Sequence, residues 1–133
     1  MRPGPARGTT ATVEIDVDAT MTDAGHATGL GDDLPPVLGS LAMLSVATGV
    51  CRDLLTPHLE PEELAVPGRL DLIHRTPIPV GTRVAFEATV QMVEPTRVTC
   101  EVLLRTAAGV AARASYEQEV VPRAAWLERT PAA

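Results

Sequence analysis

Residues 40–55 read SLAMLSVATGVCRDLL, and their apolar side chains recur with the period of a helix. At about 100° per residue, Ser40, Leu44, Ala47 and Cys51 share one stripe, flanked by Met43, Val50, Leu54 and Leu55. Ser45, Gly49, Arg52 and Asp53 fall on the opposite face, so the segment predicts one long helix with an apolar side to bury. The helix starts between Val37 and Leu41. It ends near Thr56-Pro57, because proline disfavours helical geometry in the residue before it.

Upstream, Thr12 to Val17 sets Val13, Ile15 and Val17 on one face and Glu14 and Asp16 on the other, the pattern of a half-exposed strand. Asp18 to Pro36 is rich in Gly, Thr and Asp and closes with Leu34-Pro35-Pro36, which predicts a long loop of the kind that borders a site. Downstream, Glu60-Pro61-Glu62-Glu63 reads as a short acidic turn. Strands follow at Arg69 to Arg75, Thr82 to Val93, Arg97 to Thr106 and Val110 to Val121, separated by the turns PIPVG, EPT and AAG. Val84, Phe86, Ala88, Val90 and Met92 point one way in the second of these, as do Val98, Cys100, Val102 and Leu104 in the third. Strand, long loop, helix and four strands predict an α+β domain, an antiparallel sheet wrapped around one central helix. Residues 1–10 are expected to be a disordered segment, 11–123 a single domain and 124–133 a C-terminal tail.

The chain has 133 residues, enough for one core, and it is small enough to gain from dimerisation. A formal net charge of −6, with Phe86, Tyr116 and Trp126 as the aromatic residues, argues against a nucleic-acid partner. No run has the length or apolarity of a signal core or a membrane span, so a soluble, cytoplasmic protein without a membrane partner is expected. Cys51 and Cys100 occupy apolar positions with no metal or redox spacing and read as buried free thiols. His26, His58 and His74 lack the spacing of a metal site, and neither metal nor cofactor is expected.

Two polar side chains fall on apolar faces of different elements. Alternation in Arg69-Leu70-Asp71-Leu72-Ile73-His74 puts His74 with Leu70 and Leu72, on the face that should meet the helix. It reads either as a satisfied core histidine or as a general base, since imidazole titrates near neutral pH. Ser40 reads as a helix N-cap, its oxygen accepting a backbone N–H. It also reads as a hydroxyl that positions a water or attacks directly, beside a thioester-type carbonyl that the helix N–H groups and dipole polarise.

The layout, together with Pro36-Val37-Leu38-Gly39-Ser40, Leu59-Glu60-Pro61 and Ile73-His74-Arg75-Thr76-Pro77-Ile78-Pro79-Val80-Gly81, resembles the fluoroacetyl-CoA thioesterase group of hotdog-fold enzymes over roughly residues 12–121. The resemblance implies a homodimer that hydrolyses small acyl thioesters with a helix-start threonine, a glutamate two turns into the helix and a strand histidine. These positions fall on Ser40, Thr48 and His74, which become the candidate catalytic residues. Thr48 brings no carboxylate; it reads as bonding back to a carbonyl one turn earlier, with a water-orienting role as the functional alternative. Candidate replacement acids are Asp23, Asp32 and Asp33 of the loop and Glu60 to Glu63 across the dimer, and His26 is a further loop candidate. A family arginine late in the last strand falls on Gln118. Gln118, Gly39, Leu41 and Leu44 are the candidate substrate-binding residues, and Gly39, Ala42 and Ala47 leave room either for an acyl chain or for close packing of two helices. The expected function is hydrolysis of a small or medium acyl thioester carried by coenzyme A or by a carrier-protein phosphopantetheine. The alternatives are a dimer that binds acyl thioesters or another small ligand without turnover, and a hydratase or dehydratase on the same fold.

Overall fold

A computed structural model describes residues 1–23 and 36–131. The elements are β1 (Thr10–Asp16), α1 (Ser40–Leu55), β2 (Glu63–His74), β3 (Arg83–Val93), β4 (Arg97–Thr106), β5 (Gly109–Pro122) and α2 (Arg123–Glu128). One-turn 3₁₀ segments lie at Ala19–Met21 and Thr56–His58. All strand pairs are antiparallel, in the order β1-β3-β4-β5-β2. The last three strands in sequence form a meander, while β2 crosses to the edge opposite β1.

The helix lies against one face of this sheet. Met43, Ala47, Val50, Cys51 and Leu55 are buried in one cluster with Phe86, Ala88, Val90, Cys100, Val102, Leu104 and Tyr116. Strands β3 and β4 bury every second residue, as their alternation predicts. Met92 is the departure: the pairing with β4 shifts between Val90 and Met92, and Met92 is 54% exposed.

Three other expectations differ from the structure. Strand β2 begins at Glu63 rather than Arg69, because Pro67 and Gly68 are carried through a register shift on an edge strand instead of ending it. The expected disorder of residues 1–10 is replaced by contact. Backbone bonds join Gly8 N–H to Val90 O at 2.8 Å and Val90 N–H to Thr9 O at 2.9 Å. The Met1 ammonium pairs with the Glu63 carboxylate. The C-terminal tail carries the short helix α2 directly after β5.

Candidate active site

The start of α1 is fixed by backbone on two sides. Leu38 N–H donates to Ile78 O at 2.7 Å, Val37 pairs with Pro79, and Val80 N–H donates to Pro36 O at 3.1 Å. On the other side, Gly39 N–H donates to Met21 O at 2.9 Å and Thr22 pairs with Leu38. Ile78 lies four residues beyond His74, and the intervening turn is held by Arg75 and Thr76 N–H groups donating to Ala111 O at 3.0 and 3.1 Å. The chain therefore brings the end of β2 and the start of α1 to the same end of the sheet.

Ser40 is not the N-cap. Gly39 takes that position, with extended backbone (φ −84°, ψ 161°) and no side-chain cap bond, so Ser40 is the first helical residue and its side chain is exposed. A glycine before a serine moves the boundary by one residue, and among the described residues the first N–H groups of the helix have no capping side chain. An uncapped N-terminus is a hydrogen-bond donor site with a favourable dipole for a developing negative charge.

The stripe expected to bury Ser40 is also rotated. Burial centres on Met43, Ala47 and Val50, which turns Leu41, Leu44 and Thr48 onto a flank of the helix. Leu41 is 46% exposed and Leu44 is half-buried. Thr48 Oγ1 donates to Leu44 O at 2.8 Å, the back-bond expected of a helical threonine. Its proton is thereby committed to the backbone.

His74 closes β2 opposite Ala112, with its ring exposed rather than buried against the helix. Its Nε2 lies 2.8 Å from Thr76 O. A carbonyl oxygen only accepts, so Nε2 carries the proton, and the neutral ring presents Nδ1 as its basic nitrogen. Among the described residues, no hydrogen bond joins Ser40, Thr48 and His74 to one another.

Gln118 is not on an open surface of the chain. It is 1% exposed, and its Nε2 donates to Cys51 O at 3.2 Å, tying β5 to α1. The side chain is thereby tied to the helix, and its position in β5 lies on the inward set with Ala112, Ala114, Tyr116 and Val120. Cys51 and Cys100 are free and buried, as expected. A hydrogen bond with Cys100, reinforced by burial, raises the Cys51 thiol far above its ordinary range, so it is no nucleophile near neutral pH.

Of the candidate acids, Asp32 and Asp33 lie outside the described residues, as does His26. Glu63 is engaged by the Met1 ammonium and by Glu60 N–H. Asp23 lies directly against Gly39: a Cβ on that glycine would sit 2.1 Å from Asp23 Oδ1 and 2.8 Å from Asp23 N. This contact links residues distant in sequence, and the one local signal for it is the glycine itself, kept where the carboxylate fills the space of a side chain. Among the described residues, no group of three or more His, Cys, Asp or Glu side chains is arranged to hold a metal ion.

The model of the fluoroacetyl-CoA-specific thioesterase family matches residues 15–124. The chain belongs to that family. Among solved structures, a variant of the fluoroacetyl-CoA-specific thioesterase FlK superposes with a TM-score of 0.83 at 19% identity, covering 96% of each chain. A Thermus thermophilus protein described as a thioesterase superfamily member gives 0.81 at 25% identity, covering 96% of this chain and 91% of its own. A hot-dog-like protein from Thermanaerovibrio acidaminovorans gives 0.78 at 21% identity, covering 95% and 94%. No curated protein matches the chain. The sheet and single long helix are thus the hotdog fold of this thioesterase family. Among the described residues, no helix is long and apolar enough to cross a membrane.

Proposed function

We propose that the protein hydrolyses a small or medium acyl thioester of coenzyme A or of a carrier-bound phosphopantetheine, working as a homodimer. The observation that carries this reading is the uncapped N-terminus of α1, with Ser40 exposed on its first turn, at the same end of the sheet as His74. Support comes also from the family and from FlK, whose variant structures hold fluoroacetate and CoA, and acetyl-CoA.

In this mechanism the thioester carbonyl oxygen accepts from the free N–H groups of α1, which stabilise the oxyanion as it forms. The Ser40 hydroxyl lies at the reacting carbon. A water molecule bonds to that carbon and His74 Nδ1 takes its proton. The C–S bond then breaks with its electron pair on sulfur, and the imidazolium returns the proton to the thiolate. Leu41 and Leu44 offer an apolar wall to the acyl group.

The dimer is supported by apolar surface that one chain leaves uncovered. Leu70 and Ile73 on the free edge strand β2 are 37% and 51% exposed, and Leu41 stands out from the flank of α1. An exposed apolar edge strand is a pairing surface. The reading of a binder without turnover is favoured by one residue, Thr48, which supplies no carboxylate; its signature is saturable acyl-CoA binding with no thiol release. Thiol release from a panel of acyl-CoAs and acyl-pantetheines separates the two. We expect turnover by the wild-type protein, with His74→Ala reducing kcat by about 100-fold or more.

A further inference from the structure

Asp23 carries a feature that fold stability does not explain. Its Oδ1 is buried and has no hydrogen-bond partner, although the side chain as a whole is only partly buried. The carboxylate occupies the space over Gly39, with Oδ1 2.1 Å and Cγ 2.7 Å from where a Cβ would stand, one residue before Ser40. An acid at this place would ordinarily cap the helix by accepting its N–H groups, yet among the described residues α1 has no side-chain cap. An unsatisfied buried carboxylate oxygen opposes folding, and such groups persist where chemistry uses them or where water completes their bonding. Backbone holds it there: Gly39 N–H on Met21 O, and the Thr22 pairing with Leu38, are the residues just before it.

We infer that Asp23 is the carboxylate of the hydrolytic site, accepting a hydrogen bond from the attacking water and holding that water in front of the carbonyl bound at the start of α1. This rests on the thioesterase reading above and adds an acid to it. The water oxygen bonds to the acyl carbon, one water proton passes to His74 Nδ1 and on to the departing sulfur, and the C–S electron pair leaves with the thiolate. The products are the free carboxylic acid and the thiol. Thr48 supplies no carboxylate for this part: its side chain is a neutral hydroxyl whose proton is donated to Leu44 O.

The test uses the full chain and the acyl-CoA that the wild-type protein turns over fastest. Asp23→Asn keeps the shape of the side chain and removes its charge. The expected result is a kcat lower by about tenfold or more, with KM within about twofold and a melting temperature equal to or above that of the wild type. In Asp23→Ala, added formate should restore part of kcat while leaving the wild-type rate unchanged. Wild-type kcat in Asp23→Asn overturns the proposal, as does a kcat loss accompanied by a lower melting temperature and no formate rescue, which marks a purely structural acid. If His74→Ala abolishes release while Asp23→Asn does not, the acid is wrong and the thioesterase reading stands; no release by the wild-type protein from any thioester sinks both.

Discussion

The two ends of α1 are built differently. At the C-terminal end, Arg52 O accepts from Thr56 N–H and from Thr56 Oγ1 at 2.7 Å, Cys51 O accepts from Gln118, and Cys51 and Leu55 are fully buried. At the N-terminal end the cap is a glycine without a side-chain bond, Ser40 is exposed, and Asp23 Oδ1 has no partner. One end commits its polar groups to holding helix to sheet; at the other, among the described residues, the first helical N–H groups have no capping side chain and the buried Asp23 Oδ1 has no partner. Unsatisfied groups gathered at one end mark where the molecule handles something other than itself.

The contrast is sharpest in variants that separate activity from stability. The largest effect is expected from Ser40→Ala combined with His74→Ala, which should reduce thiol release by about 100-fold or more with the melting temperature unchanged, since both side chains are exposed. Next is Gly39→Ala. The new Cβ meets Asp23 N at 2.8 Å as well as the carboxylate, and backbone cannot simply swing away. A loss of about 1–3 kcal/mol in chemical denaturation should follow; an unchanged midpoint would mean the approach of Asp23 is looser than described.

At the opposite end, Gln118→Ala should cost about 2 kcal/mol, from the lost bond to Cys51 O and the space left behind, and leave kcat within about twofold. A variant with lower kcat and normal stability would instead return Gln118 to the substrate. The smallest effect belongs to Thr48→Val. Its hydroxyl makes only local bonds to Leu44 O and Ser45 O, so stability should move by about 0.5 kcal/mol or less, and turnover should hardly change.

What could be read in the sequence follows from how far each signal reaches along the chain. Helix α1 was legible to within a few residues at its start and about one at its end, because a period of apolar side chains and a following Pro57 both act locally. Strand β2 was legible only in its second half: Pro67-Gly68 reads as a break unless one knows that the strand lies on an edge, where a missing N–H costs no ladder bond. Gln118 shows how two signals conflict. Its alternation with Ala114 and Tyr116 places it inside, whereas its match to a family arginine pointed towards substrate; in the structure it is buried and bonded to Cys51 O. The meeting of Asp23 with Gly39 was hidden because it depends on a bridge between Thr22 and Leu38 that no local pattern encodes. Ser40 and His74 stand out in the sequence as polar side chains on apolar faces, but their exposure and the cap at Gly39 emerge only with the packed structure.

The most direct test of the account is the release of free thiol from short, medium and aromatic acyl-CoAs by the wild-type protein, with His74→Ala and Ser40→Ala measured in parallel. Release by the wild type on at least one thioester is expected, with its loss in both variants while each remains folded. Release that survives both substitutions would place the chemistry elsewhere, and none at all from any thioester would contradict the assignment of hydrolysis to this end of α1.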